Sequence, residues 1–415
     1  MTKPRVAILH YSCPPVIGGV EFVMEAHARL LADTGFSVRL IVGKGGEVHP
    51  KVRTVVIPEI ATGGGPVRRV LAALAEGRVS SGFEAAVARV EQKLRVALRP
   101  VDVCMIHNVL TMHFNLVMTA ALANIMKRQR RIHFVGWTHD AMFVDPGYSQ
   151  HHRDVYPWTL LKQSLPGCDY CVISGQRKRE VAGLFGVPED ELPVIPDGVD
   201  MAELLGLTAP VADLYREEHL SVMDLVALTP TRIVRRKNLE QGLEIVAAFK
   251  RRGRQVRWFV TGAPDLYSAD AVEYFTALTK LRRKLGIEKE VVFLCERFGE
   301  RVSSEDLRGL YALANVLLFP STQEGFGIPV VEAGIAGLLT VTSDIPALRE
   351  LGLDESVYVH SGEDSDLVAG RILRAFEKSP RLVFQRRLIS QYSWQAVFTS
   401  KILSLLMRPE AVWPR

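Results

Sequence analysis

Short apolar runs alternate with longer amphipathic stretches along almost the whole chain, and the pattern is run through twice. In the first half the runs fall at residues 6–12, 38–42, 54–57, 101–107, 132–138 and 170–174, with helical periodicity at 20–33, 83–98, 114–128 and 176–185. The second half restarts at 225–229 and continues at 256–262, 291–295, 316–319, 338–342 and 357–360. Runs that are apolar at every position need cover on both faces, and intervening helices supply it. This pattern predicts an α/β chain of two doubly wound parallel-sheet domains, which also suits 415 residues, too many for one ordinary core. Such sheets bind ligands beyond the carboxyl ends of their strands, so a cleft between the domains is the expected site.

Asp197-Gly198 is a turn signal, and the stretch that follows has no strand-like run until Leu225. The expected domains are therefore 1–200 and 221–392. Residues 366–377 and 380–389 read as helices, and 393–406 as a further amphipathic helix with Ser393 as its N-cap. A helical tail beyond a complete sheet must pack somewhere, and a return to the first domain, over 393–415, is the expectation. No apolar run approaches the ~18 residues that a membrane span needs. The chain enters its first strand at Val6, which argues against a secretion leader.

Composition narrows the function classes. Hydrophobic residues at 48% and charged residues at 23% are those of a soluble globular protein. A net charge of +5 suits an anionic small ligand or a weak pull toward an acidic membrane, and is too small by itself to imply nucleic acid. Arg68, Arg69, Arg78, Arg89, Lys93, Arg95, Arg99, Lys127, Arg128, Arg130 and Arg131 are candidates for peripheral membrane contact, although solvated helix faces explain them more simply. The five cysteines are scattered. Cys168 and Cys171 have redox or zinc spacing, but their apolar neighbours and the lack of a second pair favour buried structural thiols in a reducing cytoplasm.

Four segments carry chemistry. After the first strand, Gly18 and Gly19 open a helix, where backbone can approach an anion closely; a plain tight turn explains them equally well. After the first strand of the second half, Arg232 and Lys237 bracket a basic turn leading to a helix near Leu239, a pairing suited to a diphosphate, although taken alone a solvated basic turn explains the cluster more simply. In Glu324-Gly325-Phe326-Gly327-Ile328-Pro329 the glycines loosen the loop, and Pro329 fits the first turn of a helix whose free N–H groups favour an anion. Glu324 and Glu332 flank that helix start and suit the hydroxyls of a sugar or ribose. Finally, His139 ends a first-domain strand, where a histidine either meets a substrate hydroxyl or serves the structure.

Together these segments resemble glycosyltransferase family 4, the retaining glycosyltransferases of the GT-B fold, over nearly the full length. Gly18-Gly19-Val20-Glu21 is similar to the family's N-terminal glycine motif, and Pro196-Asp197-Gly198-Val199-Asp200 to its Pro-Asn-Gly-Val-Asp segment. Arg232 with Lys237 resembles the basic pair, Glu324 and Glu332 the E-x7-E signature, and Ser393-Trp394 the dipeptide before the terminal helix. The resemblance implies two Rossmann-like domains, the first for the acceptor and the second for the nucleotide-sugar donor. It implies that Arg232 and Lys237 hold the diphosphate, that Glu332 binds the ribose, and that Glu324 with Gly325, Phe326, Gly327 and Ile328 positions the sugar. Gly18 and Gly19 would approach the phosphate or acceptor, and His139 would lie near the sugar. Asp197 departs from the usual Asn. The segment Thr342-Ser343-Asp344-Ile345-Pro346-Ala347 lacks the common Gly-Gly-x-Pro-Glu, so no role is carried over to it.

The expected activity is thus a retaining, metal-independent hexosyl transfer from a nucleoside-diphosphate sugar, UDP- or GDP-linked, to a carbohydrate, glycolipid or small-molecule hydroxyl. No cofactor is expected beyond that co-substrate. The expected setting is the cytoplasm, extending to the inner face of the membrane. A nucleotide-sugar epimerase, a phosphorylase or a non-catalytic sugar-nucleotide-binding protein on the same fold are the competing readings.

Overall fold

The computed structural model describes residues 3–129, 131–299, 302–352 and 354–407. Twelve strands form among them: β1 (Val6–Ser12), β2 (Val38–Lys44), β3 (Val52–Val56), β4 (Val103–His107), β5 (His133–Thr138), β6 (Cys168–Val172), β7 (Leu225–Thr229), β8 (Val256–Val260), β9 (Val291–Phe293), β10 (Val316–Phe319), β11 (Leu339–Ser343) and β12 (Val357–Val359). They build two six-stranded sheets, ordered β3-β2-β1-β4-β5-β6 and β12-β11-β10-β7-β8-β9. Every pairing is parallel. Numbered from its own first strand, the second sheet repeats the order of the first. In both, the winding reverses between two central strands, β1 and β4 in one, β7 and β10 in the other. Loops leaving such a pair diverge, and the opening between them is where doubly wound sheets hold ligands.

The burial pattern explains why the runs are apolar throughout. In β1, Ala7, Leu9 and Tyr11 join one buried layer while Val6 and Ile8 join the layer across the sheet. In β7, Leu225 and Ala227 face one layer and Val226 and Leu228 the other. A two-residue period with both faces covered needs hydrophobic residues at every position. The same alternation agrees with the expectation that Cys168 and Cys171 are buried structural thiols. Cys168 faces one side of the first sheet and Cys171 the other, so the two sulfurs cannot share a metal. Both thiols are free, and burial pushes them above their ordinary range.

One compact unit takes the chain through Gly198 and again from Val397, and the other is Val199–Ala396. The ends of the second unit are tied together. Val199 N–H donates to Tyr392 O at 2.7 Å, and Trp394 N–H donates to Val199 O at 3.0 Å. The join, expected to lack strand-like runs, forms helices Met201–Leu204 and Ala209–Glu217. After Trp394–Val397 the terminal helix widens into a π turn at Phe398–Ile402 and closes with Leu403–Met407. Val397, Phe398, Ile402, Leu405 and Leu406 are buried in the layer that holds Met24, Ala28 and Leu31 of helix Gly19–Asp33. Of the terminal segment expected at 393–415, residues 408–415 lie outside the described residues, as does Arg130.

Two local expectations differ. The run 291–295 leaves the sheet at Phe293, and Cys295–Phe298 is helical, because Glu296 turns out to a bidentate pair with Arg282 at 2.8 and 2.9 Å. Helix Arg68–Ala75 had no counterpart in the sequence reading, since the glycines at 63–65 and the Arg68-Arg69 pair obscure its apolar stripe. Among the described residues, no helix is long and apolar enough to cross a membrane.

Candidate functional site

At the switch point of the second sheet, three strand ends are knotted together. The Thr229 hydroxyl donates to Leu318 O of β10 and accepts from Trp258 Nε1 of β8 at 2.8 Å. Beyond Thr229 the chain passes Arg232, makes a 3₁₀ turn at Arg235–Lys237 and enters helix Leu239–Arg251. Asn238 makes the corner in the left-handed region, φ +48°, which asparagine tolerates better than most residues. The loop after β10 is stitched to this turn, because Thr322 donates to Arg236 O through its N–H at 2.8 Å and its hydroxyl at 3.2 Å.

That stitching brings the candidate residues together and also gives them different states. Lys237 Nζ pairs with Glu324 Oε1, and the two side chains are only 9% and 10% exposed. Arg236 Nη1 flanks the pair, 3.4 Å from Glu324 Oε2, and donates to Gln323 O at 3.0 Å. Burial pulls the Lys237 ammonium below its ordinary range, opposed by the Glu324 carboxylate. Burial alone would push Glu324 up. Hydrogen bonds from Lys237 and Ser321, with the charges of Lys237 and Arg236, hold it below its ordinary value instead. Arg232 is exposed and, among the described residues, has no hydrogen-bond or ion-pair partner, yet its charge reaches Lys237. Of the two cations expected to grip a diphosphate, then, one is engaged with a carboxylate and the other is free.

Helix Ile328–Ala336 begins at the same place. Gly327 precedes it at φ +103°, where a Cβ would also lie 2.6 Å from Leu348 Cδ2, so only glycine suits this corner. Pro329 sits in the first turn and no side chain caps the helix, which leaves the Ile328 N–H outward at the positive end of the dipole. Gly325, Phe326 and Ile328 are exposed beside it. One turn along, Glu332 is exposed and accepts from the Tyr311 hydroxyl at 2.6 Å.

Sequence reasoning missed Gly262. It lies just past β8, and a Cβ there would stand 2.1 Å from Thr231 O and 2.5 Å from Arg232 Cα. Glycine at this point lets the Arg232 loop lie flat against the sheet edge. The available signal was a glycine closing an apolar run. Gly262→Ala should push Arg232 off its position and cost about 100-fold in turnover, as ångström-scale misplacements do. Far-UV dichroism should stay native, and wild-type kinetics from that variant would show that the Arg232 position does not matter.

In the first unit, Gly18 is the N-cap of helix Gly19–Asp33, in extended backbone. A Cβ on Gly18 would lie 2.1 Å from Glu21 Oε2, whereas Gly19 faces open space. Glu21 accepts from the Ser12 hydroxyl at 2.6 Å and lies 3.9 Å from His10 Nε2. His139 is not alone. His10 Nδ1 is 2.7 Å from His107 O, His107 Nδ1 is 3.2 Å from His139 Nε2, and His139 Nδ1 is 3.6 Å from Asp197 Oδ2. Both ring nitrogens of His139 thus face protein groups, and Asp197 supplies one of them. His27 packs 4.8 Å edge-on to Trp137 and completes a buried histidine cluster across β1 and β4. The signal for His10 and His107 was a polar residue inside an otherwise apolar strand at the switch point.

The two halves have separate counterparts. A family model described as Glycosyltransferase Family 4 matches residues 17–203, and one described as Glycosyl transferases group 1 matches residues 212–391. The chain belongs to this glycosyltransferase family. Each family model spans one sheet's switch-point loops, Gly18, Gly19 and His139 in the first, Arg232, Lys237, Glu324 and Glu332 in the second. The paired doubly wound units accord with the family's GT-B fold class. Among relatives, O-antigen chain mannosyltransferase RfbU of Salmonella typhimurium is 34% identical over 51% of this chain and 52% of its own. The uncharacterized glycosyltransferase MJ1607 of Methanocaldococcus jannaschii is 27% identical over 49% of each chain. D-inositol 3-phosphate glycosyltransferase of Nocardia farcinica is 26% identical over 50% of this chain and 43% of its own. The matches thus span about half the length of these family members.

Proposed function

We propose that this family member transfers a hexose from a nucleoside-diphosphate sugar to an acceptor hydroxyl, keeping the donor's anomeric configuration and using no metal. The observation that carries the reading is the free Arg232 guanidinium beside Lys237 and the uncapped helix start at Ile328, all at the carboxyl ends of β7 and β10. Three positive features around one point favour a dianionic group there. In this reading Glu332, exposed one turn into the helix, binds the ribose hydroxyls, and Glu324 with the backbone of Phe326 and Gly327 binds the sugar. The family names of the relatives, mannosyltransferase among them, agree with a hexose.

In the reaction, the bond between C1 and the diphosphate oxygen breaks and its electron pair leaves with the nucleotide. Arg232 and Lys237 stabilise that charge. The acceptor oxygen then bonds to C1 from the face just vacated, and its proton passes to a phosphate oxygen. No protein nucleophile is consumed. Two cations supply the charge neutralisation for which many transferases use a metal held by Asp-x-Asp. The Asp-x-Asp triplet of this chain is committed elsewhere: Asp364 caps helix Ser365–Glu377, and Asp366 pairs with Arg251 at 2.6 Å.

Calorimetric titration with UDP, GDP and ADP in the presence of chelator tests the donor site. One nucleotide should bind and Arg232→Ala should abolish it. Binding of none, or binding indifferent to the substitution, would overturn the assignment. Conversion of the nucleotide sugar with no acceptor present would turn the reading toward an epimerase.

A further inference from the structure

The first unit has a cavity of about 370 Å³, at the small end of the ~300–1,000 Å³ typical of small-molecule sites. It is bounded by the segments that follow β3, β4 and β5, so it opens at the carboxyl end of the sheet. Its walls are of two kinds. Leu71, Leu74, Leu116 and Trp158 make an apolar side, extended by His113 and His151, whose rings stack at 4.3 Å. Burial and the His151 charge draw His113 down to about 4, so at neutral pH it belongs to the apolar side. The other side is cationic, made by Arg68 and Arg153.

What sets these two arginines apart is that they line the cavity. The side chains of Arg69, Arg89 and Arg99 also have no hydrogen-bond or ion-pair partner among the described residues but do not line it. Arg78, Lys93, Arg95 and Arg128 each pair with a glutamate. Arg68 has no hydrogen-bond or ion-pair partner among the described residues. Arg153 is held by main-chain carbonyls, Gln150 O at 2.9 Å and His152 O at 2.7 Å, which fix the guanidinium without neutralising it. No carboxylate lies among the residues lining the cavity. Two guanidinium groups with no carboxylate among the lining residues leave positive charge beside an apolar wall, and an anion neutralises it. A bare anion would leave the apolar wall uncovered, and a neutral apolar molecule would leave the charges unpaired.

We propose that this cavity is the acceptor subsite, and that it takes an organic phosphate, with the phosphate on Arg68 and Arg153 and an apolar segment along Leu71, Leu74 and Trp158. The assignment to the acceptor rests on the transferase reading; the ligand chemistry does not. Lipid phosphates and soluble aryl phosphates share that chemistry, and affinity separates them.

The test titrates the full chain with farnesyl phosphate, phenyl phosphate, farnesol and inorganic phosphate. An organic phosphate should bind at least about tenfold more tightly than either farnesol or inorganic phosphate, as a charge-assisted contact requires. Farnesyl phosphate binding more tightly than phenyl phosphate assigns a lipid acceptor, and parity assigns a soluble one. Arg68→Gln should weaken organic phosphate by about tenfold or more, and Ala72→Phe, which fills the mouth, should abolish binding. Both positions are exposed, so folding and nucleotide titration should remain native. Equal binding of farnesol and farnesyl phosphate, or indifference to both substitutions, overturns the site. Loss of nucleotide binding with phosphate binding intact would instead sink the transferase reading alone.

Discussion

Lys237→Met is expected to cut turnover on the order of 100-fold, because it removes a cation from the departing diphosphate. It should also lower unfolding free energy by about 3 kcal/mol, because it takes the nearer partner from a nearly buried Glu324 and leaves it only the 3.4 Å contact with the exposed Arg236. The two effects separate in a cycle. Glu324→Gln should carry a similar stability cost, leaving the ammonium unpaired, while the double variant should recover most of the lost stability. Turnover should stay low in all three. Urea unfolding and steady-state rates check both halves. A double variant no more stable than the singles would show that the pair is not coupled, and wild-type turnover from Lys237→Met would remove the lysine from the reaction. The pair also has a definite pH sign. Glu324 is held below its ordinary 4.5, so its contribution is complete above that value and is lost as pH falls through the lower, folded-state value.

The first unit should fail in acid well before the second. His10 is drawn down to about 4 and His27 to about 3, both chiefly by burial, and His107 is held well below its ordinary 6.5 for the same reason. The unfolded chain takes up these protons near 6.5 and the folded unit refuses them. The stability they contribute is therefore complete above 6.5 and drains as pH falls from there toward 4. Each such group costs up to about 1.4 kcal/mol per pH unit, so His10 and His27 acting over two units already reach the lower end of the ~5–15 kcal/mol that holds a domain together, and His107 adds in the same direction. The described histidines of the second unit, His219 and His360, are exposed. Thermal melts should therefore split into two steps between pH 7 and 5. Hydrogen exchange should locate the earlier step in β1, β4 and β5, and His27→Phe should flatten its pH dependence. A single pH-independent transition would contradict the argument.

Much of this molecule is readable from local sequence because its strands are buried on both faces. Hydrophobic runs of that kind are unambiguous, and β1, β7 and β10 begin and end where the apolar runs do. The glycine pair, the basic turn and the two glutamates are readable for a related reason. Each stands directly after a strand, at a position where backbone geometry or charge admits few residue types. Less was readable where a residue's role depends on something distant in sequence. Gly262 is needed by Thr231 and Arg232 through space, and a glycine closing an apolar run does not say which distant loop it serves. Helix Arg68–Ala75 and the loop holding Arg153 form one cavity only because β3 and β5 lie in the same sheet.

The family was reached through the resemblance of motifs; the sequence by itself determined the two doubly wound units and the residues gathered at the switch point of the second sheet. It did so because period-two burial and strand-end chemistry are local properties. Only the tertiary structure decided the state of each group. Lys237 is committed to Glu324 while Arg232 is free, and His139 is enclosed by His107 and Asp197. Partnership and burial are set by which strands stand side by side. That order is a property of the whole sheet, and a charge or a ring acquires its role only once the sheet is complete.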